Sequence, residues 1–206
     1  MVPMSSTETN ATGDTPLLTA AERDMLLGLA RDSIRHGLEH ARPLPVDLAA
    51  QPEALRAQRA AFVTLHRHGA LRGCIGHLEA IGPLAESVAD NAFNAAFRDP
   101  RFPPVSADEL PELHIEISVL TPSVPMTFAD EADLLRQLRP GVDGLILTDG
   151  PHRGTFLPSV WEQLPAARDF LRHLKRKAGL PPEHWSDRLQ VSRYRTESFA
   201  EPDRAA

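Results

Sequence analysis

Cysteine is nearly absent from this sequence, since Cys74 is the only one among 206 residues. One thiol cannot form an internal disulfide, and an unpaired thiol is unusual in a secreted protein, so we expect the reducing cytoplasm. Long apolar runs are also lacking, and none approaches the roughly 20 residues that a membrane-spanning helix needs. The formal net charge of −6 gives no general attraction to phosphate backbones. We therefore expect neither a membrane nor a nucleic acid among the partners.

The rest of the composition is typical of a globular protein, with 42% hydrophobic and 24% charged residues. Residues 1–16 are rich in Ser, Thr and Pro and lack a basic stretch followed by an apolar one. This pattern predicts a flexible N-terminal tail rather than a signal peptide. We expect residues 17–199 to form the folded domain and residues 200–206 to form a flexible C-terminal tail.

Apolar periodicity predicts a mixture of helices and strands. A capping-box pattern at Thr19 and Glu22 begins an amphipathic helix that continues to Pro43. Further helices are predicted at residues 83–97, 133–138 and 167–178. Strands are predicted at residues 61–65, 71–76, 113–119, 144–148, 154–157 and 189–199.

The cysteine lies in a predicted β-hairpin whose turn is His68 and Gly69. The pairs that follow from this turn are Arg67 with Ala70, Leu65 with Arg72, and Val63 with Cys74. The opposite face, which we expect to be the core face, carries Phe62, Thr64, Leu71 and Ile75. Arg72 and Cys74 would then share one face, with their Cα atoms roughly 6.5 to 7 Å apart.

A guanidinium that close favours the thiolate form of Cys74, which is the form that acts as a nucleophile. Gly73 and Gly76 flank the thiol, and glycine within a strand often marks a bulge or the close approach of a ligand. The alternative is that Cys74 packs as a small buried apolar residue, as many free cysteines do.

Several other polar residues are candidates for the same site. Glu116 and Ser118 share the polar face of a predicted strand, and Asn91 interrupts the apolar stripe of a predicted helix. Asp99 and Arg101 flank Pro100 in a predicted turn, where the alternative to ligand contact is a local salt bridge. The histidine spacings do not assure a cluster of ligands, so we predict no metal site.

The segment from Leu71 to Gly76 resembles the AMMECR-type domain family, which occurs in bacteria as protein A of the AmmeMemoRadiSam system. The similarity continues in family order over roughly residues 17–199. The segments that carry it are Asn91–Ala92, Ala96–Pro104, Glu116–Leu120, Gly141–Gly144, Thr155–Pro158, Val160–Pro165 and Lys177–Pro181.

This resemblance implies an α+β fold built on antiparallel sheet, with a larger and a smaller lobe. It also implies a shared cleft formed by Arg72, Gly73, Cys74, Gly76, Asn91, Asp99, Arg101, Glu116 and Ser118. A Memo-like protein and a radical S-adenosylmethionine enzyme are the partners that the resemblance implies. It identifies no reaction, cofactor or oligomeric state.

Three alternatives for the function are compatible with the sequence. The first is an enzyme or modification component in which Cys74 is the nucleophile, Arg72 favours its thiolate and Glu116 takes part in proton transfer. The second is a protein-binding scaffold for the Memo-like protein or the radical enzyme. A metal-bound version of the domain is a third alternative.

Overall fold

The computed structural model describes residues 16–202, which form two four-stranded antiparallel sheets and five α-helices. This architecture confirms the predicted α+β class. The helices are α1 (Ala20–His40), α2 (Glu53–Arg56), α3 (Leu84–Phe97), α4 (Glu131–Gln137) and α5 (Ala167–Lys177). The first four strands are β1 (Ala61–Arg67), β2 (Ala70–Gly76), β3 (Leu113–Leu120) and β4 (Val124–Pro125). The last four are β5 (Gly144–Asp149), β6 (His152–Phe156), β7 (Gln190–Tyr194) and β8 (Thr196–Ala200).

The predicted tails fall largely outside the described part of the chain, because residues 1–15 and 203–206 are not described. Ala200 ends β8, and the next residue, Glu201, is bound by Arg31 at 2.6 Å. None of the described helices combines the length and the apolar character that crossing a bilayer requires.

The chain divides into two compact units, of which the larger contains residues 16–119 and 197–202 of the described range. Its sheet has the strand order β2-β1-β3-β8, and α3 packs against β1 and β2. Helix α1 packs on α3 and begins with the predicted capping box, in which Thr19 and Glu22 bind each other's backbone N–H groups. Helix α1 ends at His40 and is followed by the C-cap residue Ala41, whose positive φ of 56° reverses the chain.

One face of this sheet forms the core of the larger unit. Alternation along β1 buries Ala61, Val63 and Leu65, and alternation along β3 buries its odd-numbered residues in the same way. The predicted core face of β1, with Phe62 and Thr64, is therefore wrong, because these two residues are only half-buried and lie on the opposite face.

The hairpin turn is as predicted, but the register beyond it is not. His68 and Gly69 both have positive φ, at 51° and 76°, as a two-residue hairpin turn requires. Arg67 pairs with Ala70 as predicted, whereas the predicted pairs of Leu65 with Arg72 and Val63 with Cys74 are wrong. The observed pairs are Leu65 with Gly73, Thr64 with Cys74, Val63 with Ile75, and Phe62 with Gly76. A β-bulge adds one residue to β2 next to the turn, and every later pair is shifted by one position.

The smaller unit, residues 120–196, has the sheet order β4-β7-β5-β6 and contains α4 and α5. Its core includes Trp161 and Phe170, whose rings stack at 3.8 Å between centroids. The single predicted strand over residues 189–199 is wrong, since β7 and β8 are separate strands in different sheets. Tyr194 is the last residue of β7 and is buried, and β8 begins two residues later.

Gly73 offers a test of how closely α3 packs on the sheet. A Cβ atom at this position would overlap the backbone carbonyl of Ala95 on α3. We expect Gly73→Ala to lower the free energy of unfolding by about 1–3 kcal/mol. The matched control is Gly28→Ala on the exposed surface of α1, where a Cβ meets no atom within 4 Å. This control should raise stability by about 0.5–1 kcal/mol. Equal stability of the two variants in urea unfolding would contradict the packing described.

Candidate functional site

Two side chains bind the outer edge of β2 at Cys74. The backbone N–H of Cys74 donates to the Asp99 carboxylate at 2.9 Å, and Arg101 Nη2 donates to the Cys74 carbonyl at 3.2 Å. Strand β2 is the first strand of its sheet, so these backbone groups point away from β1. Asp99 and Arg101 therefore occupy the positions that a neighbouring strand would take.

Asp99 holds the Arg101 guanidinium in place. Its carboxylate accepts from Arg101 Nε at 2.9 Å, from Nη2 at 2.6 Å and from the Arg101 backbone N–H at 3.1 Å. The Asp99 side chain is 2% exposed, whereas the Arg101 side chain is 53% exposed. Hydrogen bonding from Arg101 holds the pKa of Asp99 well below its ordinary value, and the N–H of Cys74 adds to this effect. Asp99 is therefore an anion at neutral pH.

The Cys74 side chain is half-buried and has two polar neighbours. Thr64, its partner on β1, places its hydroxyl 3.3 Å from Sγ in a geometry for donation. The Arg101 guanidinium is the second neighbour. Hydrogen bonding to Asp99 is the main cause that raises the pKa of Arg101, and the charge and hydrogen bond of the Cys74 side chain contribute further. The cation beside the thiol is thus Arg101.

Strand parity predicts Arg72 beside the thiol. In the structure Arg72 instead forms an ion pair with Glu109. Arg72 Nε and Nη2 donate to the two Glu109 oxygens at 2.8 and 3.0 Å, and the Arg72 side chain is 10% exposed. Arg67 adds a bond to the same carboxylate at 3.1 Å. These bonds, with Arg72 first, lower the pKa of Glu109 to about 2. The β-bulge and this ion pair give Arg72 a structural position that strand parity alone does not predict.

Glu116 and Ser118 lie on the same face of the sheet as Cys74. Thr64 pairs with Cys74 on one side and with Glu116 on the other, so the three residues form one row across β2, β1 and β3. The Glu116 carboxylate is half-buried and makes no hydrogen bond or ion pair within residues 16–202. Ser118 lies two residues along β3, and its hydroxyl is 2.8 Å from that of Ser198 on β8. The structure therefore brings Glu116 and Ser118 to the thiol face.

The remaining predicted residues have structural positions. Asn91 is fully buried on α3 and donates to the Ala61 carbonyl at 3.0 Å. It lies on the helix-covered side of the sheet, away from the row that contains Cys74. Gly73 faces the Ala95 carbonyl, and a Cβ at Gly76 would overlap the ring of Phe62. Both glycines are thus explained by close packing within the unit.

Sequence reasoning missed three residues around Cys74. Strand alternation predicts Thr64 on the core face, and only the shifted register brings it to the thiol. Phe102 has its ring 5.5 Å from the Arg101 guanidinium and 6.0 Å from that of Arg72. Glu109 lies in a loop without periodicity, and no local sequence pattern marks it.

The described residues contain no group of three or more His, Cys, Asp or Glu side chains arranged to hold a metal ion. A cleft of about 330 Å³ lies between residues 42–46 and the side chains of Glu86 and Asp90 on α3. None of the predicted site residues lines this cleft. The predicted site residues that lie together in the larger unit are therefore those around Cys74, and not those near this cleft.

Comparisons with known proteins give one consistent result. A family model described as AMMECR1 matches residues 27–199. A protein of Methanothermobacter thermautotrophicus is 40% identical over 192 residues, covering 89% of this chain and 96% of its own length. A second, from Methanocaldococcus jannaschii, is 35% identical and covers 90% and 92%. The crystal structure of an uncharacterized protein from Pyrococcus horikoshii is similar with a TM-score of 0.79 and 34% identity, covering 91% of this chain and 95% of that one.

The pKa of Glu109 generates a prediction about stability and pH. Because this pKa falls from an ordinary 4.5 to about 2 on folding, the carboxylate stabilises the folded chain above pH 4.5 and loses this effect as the pH falls toward 2. We expect Glu109→Gln to lower the free energy of unfolding at pH 7 by about 1–3 kcal/mol. The difference from the wild type should shrink between pH 4.5 and 2, as measured by urea unfolding followed by far-UV circular dichroism.

The matched control is Asp108→Asn, at the neighbouring exposed position. Its stability should remain within about 0.5 kcal/mol of the wild type. A Glu109→Gln effect that is equally large at pH 7 and pH 2 would show that the ion pair with Arg72 is not its cause.

Proposed function

The chain belongs to the AMMECR1 family, and from the surroundings of Cys74 we propose that it is a thiol-dependent enzyme or modification component, similar to protein A of the AmmeMemoRadiSam system. In this proposal Cys74 reacts as a thiolate with an electrophilic ligand. The observation that carries it is the Arg101 guanidinium, which donates to the Cys74 carbonyl at 3.2 Å and is held there by the buried carboxylate of Asp99.

A cation held rigidly next to a cysteine stabilises the thiolate over the thiol. Arg101 retains its position because Asp99 binds it through two side-chain nitrogens and the backbone N–H. The Thr64 hydroxyl supplies a second donor to the sulfur. Both groups are in place before a ligand arrives, so little reorganisation is needed when negative charge develops on sulfur.

The chemical step would form a bond from sulfur to an electrophilic atom of the ligand, and a leaving group would depart with the displaced electron pair. Thr64 lies between Cys74 and Glu116 in the row, so Glu116 is one strand further from the sulfur. The role of Glu116 in proton transfer stays a prediction. Arg101 takes the part that the sequence analysis gave to Arg72, and Arg72 is a positioning residue that anchors the loop containing Glu109.

The proposed setting is the cytoplasm, where a lone thiol is kept reduced. A Memo-like protein and a radical S-adenosylmethionine enzyme are the partners that we propose there. The competing function is a scaffold for those partners that needs no reactive thiol. A Cys74→Ser variant that retains full cellular function and partner binding would favour the scaffold.

Alkylation kinetics test the thiolate directly, because Cys74 is the only cysteine and any label reports on it alone. We expect iodoacetamide to modify native Cys74 at pH 7 faster than it modifies a short cysteine peptide. Arg101→Gln should slow the modification about tenfold, which corresponds to a loss of about 1.4 kcal/mol of thiolate stabilisation. The rate is measured by mass spectrometry of the intact protein.

Arg35→Gln is the charge-matched control, since Arg35 lies on α1 with an exposed side chain paired to Asp32. This variant should react at the wild-type rate. If native Cys74 reacts no faster than the peptide, and if Arg101→Gln leaves its rate unchanged, the proposed thiol chemistry is wrong.

A further inference from the structure

The charges around Cys74 identify the class of ligand that this site would take. We infer that the ligand of the Cys74 site carries a positively charged amino or guanidino group, which Glu116 binds while the ligand's electrophilic atom faces the sulfur. This inference rests on the proposed thiol chemistry and adds the substrate class to it.

The positive charges near the sulfur are paired with acidic side chains of the protein itself. Arg101 is the cation that contacts Cys74, and it is paired with Asp99. Arg72 and Arg67 are likewise paired within the protein, Arg72 with Glu109 and Arg67 with both Glu109 and Glu112. No net positive charge is therefore left in this region to attract an anionic ligand, although Arg101 still stabilises the thiolate locally.

One carboxylate on the face of the sheet that contains Cys74, that of Glu116, lacks a partner among the described residues. Glu116 is half-buried and makes no ion pair or hydrogen bond within residues 16–202. A carboxylate that is partly removed from water without a partner is unfavourable, and a cationic ligand group would supply the missing partner. The neighbouring side chains on this face are the uncharged Thr64 and Ser118, together with His66 and His114, of which His114 contacts the Glu201 carbonyl at 2.7 Å.

The row formed by Cys74, Thr64 and Glu116 sets the distance between the thiol and the carboxylate. Neighbouring strands are about 4.8 Å apart, so Cys74 and Glu116, with Thr64 between them, have Cα atoms about 10 Å apart. A ligand in contact with both side chains must place its cation several bonds from its reacting atom. This spacing suits the side chain of a lysine or arginine, or a small molecule of similar length with a terminal ammonium.

Methanethiosulfonate reagents of opposite charge test the inference on the intact protein. Each reagent gives its thioalkyl group to the thiolate, forming a mixed disulfide and releasing methanesulfinate, so the reaction balances without an added oxidant. The probes are the cationic trimethylammonioethyl and the anionic sulfonatoethyl reagents, compared with the neutral methyl reagent. All reactions are run at one fixed pH of 8.

We expect the ratio of cationic to anionic rates to be higher for native Cys74 than for a cysteine peptide. Glu116→Gln should lower this ratio about thirtyfold, because removing a unit charge about 8 Å away, at an effective dielectric constant of about 40, changes the two rates about sixfold in opposite directions. The preference should also weaken at high salt. Glu53→Gln, which removes an exposed acid at the start of α2, is the control and should leave the ratio unchanged.

The outcomes separate the two proposals. If no reagent reacts with native Cys74 faster than with the peptide, the thiol chemistry itself is wrong. If the neutral reagent reacts faster than with the peptide but Glu116→Gln leaves the charge ratio unchanged, the thiol chemistry stands and the inferred ligand class is wrong. A ratio that favours the anionic reagent would also overturn the inferred class.

Discussion

The carboxylate of Asp99 binds the Cys74 backbone N–H and the Arg101 guanidinium at once, and the arrangement around the thiol depends on this double contact. The carboxylate is almost fully buried, so its charge has to be compensated locally, and Arg101 provides that compensation. Since Asp99 and Arg101 are only two residues apart, one short loop after α3 supplies both side chains. The Asp99 carboxylate thus fixes both the position of β2 at Cys74 and the position of the Arg101 guanidinium.

The sequence predicted the elements of the fold well where periodicity is strong. The capping box of α1, the alternation of β3 and the His68–Gly69 turn are all present in the structure. These signals are local, since each depends on residues within a few positions of one another. The final strand failed because its alternation continues through residue 195, where the chain passes from one sheet to the other. No local pattern reports such a change of partner.

The sequence predicted that several polar side chains lie near Cys74, but not how they are arranged around it. One additional residue in β2 moved Cys74 from a pairing with Val63 to a pairing with Thr64. That shift decides which face the thiol occupies, because side chains alternate between faces at every residue. Arg101 rather than Arg72 lies at Cys74, because the loop after α3 brings it there and no periodic signal in the sequence places that loop. Glu116 kept its place on the thiol face because its own strand is regular.

Strand β2 is at the border of its sheet, and unpaired backbone groups at such a border invite pairing with another polypeptide. At Cys74 such pairing is blocked, because the side chains of Asp99 and Arg101 already bind the backbone N–H and the carbonyl. The hydrogen bonds that a foreign strand would need are already used at the centre of the border. The contact that orders the thiol therefore also protects the chain against edge-to-edge aggregation.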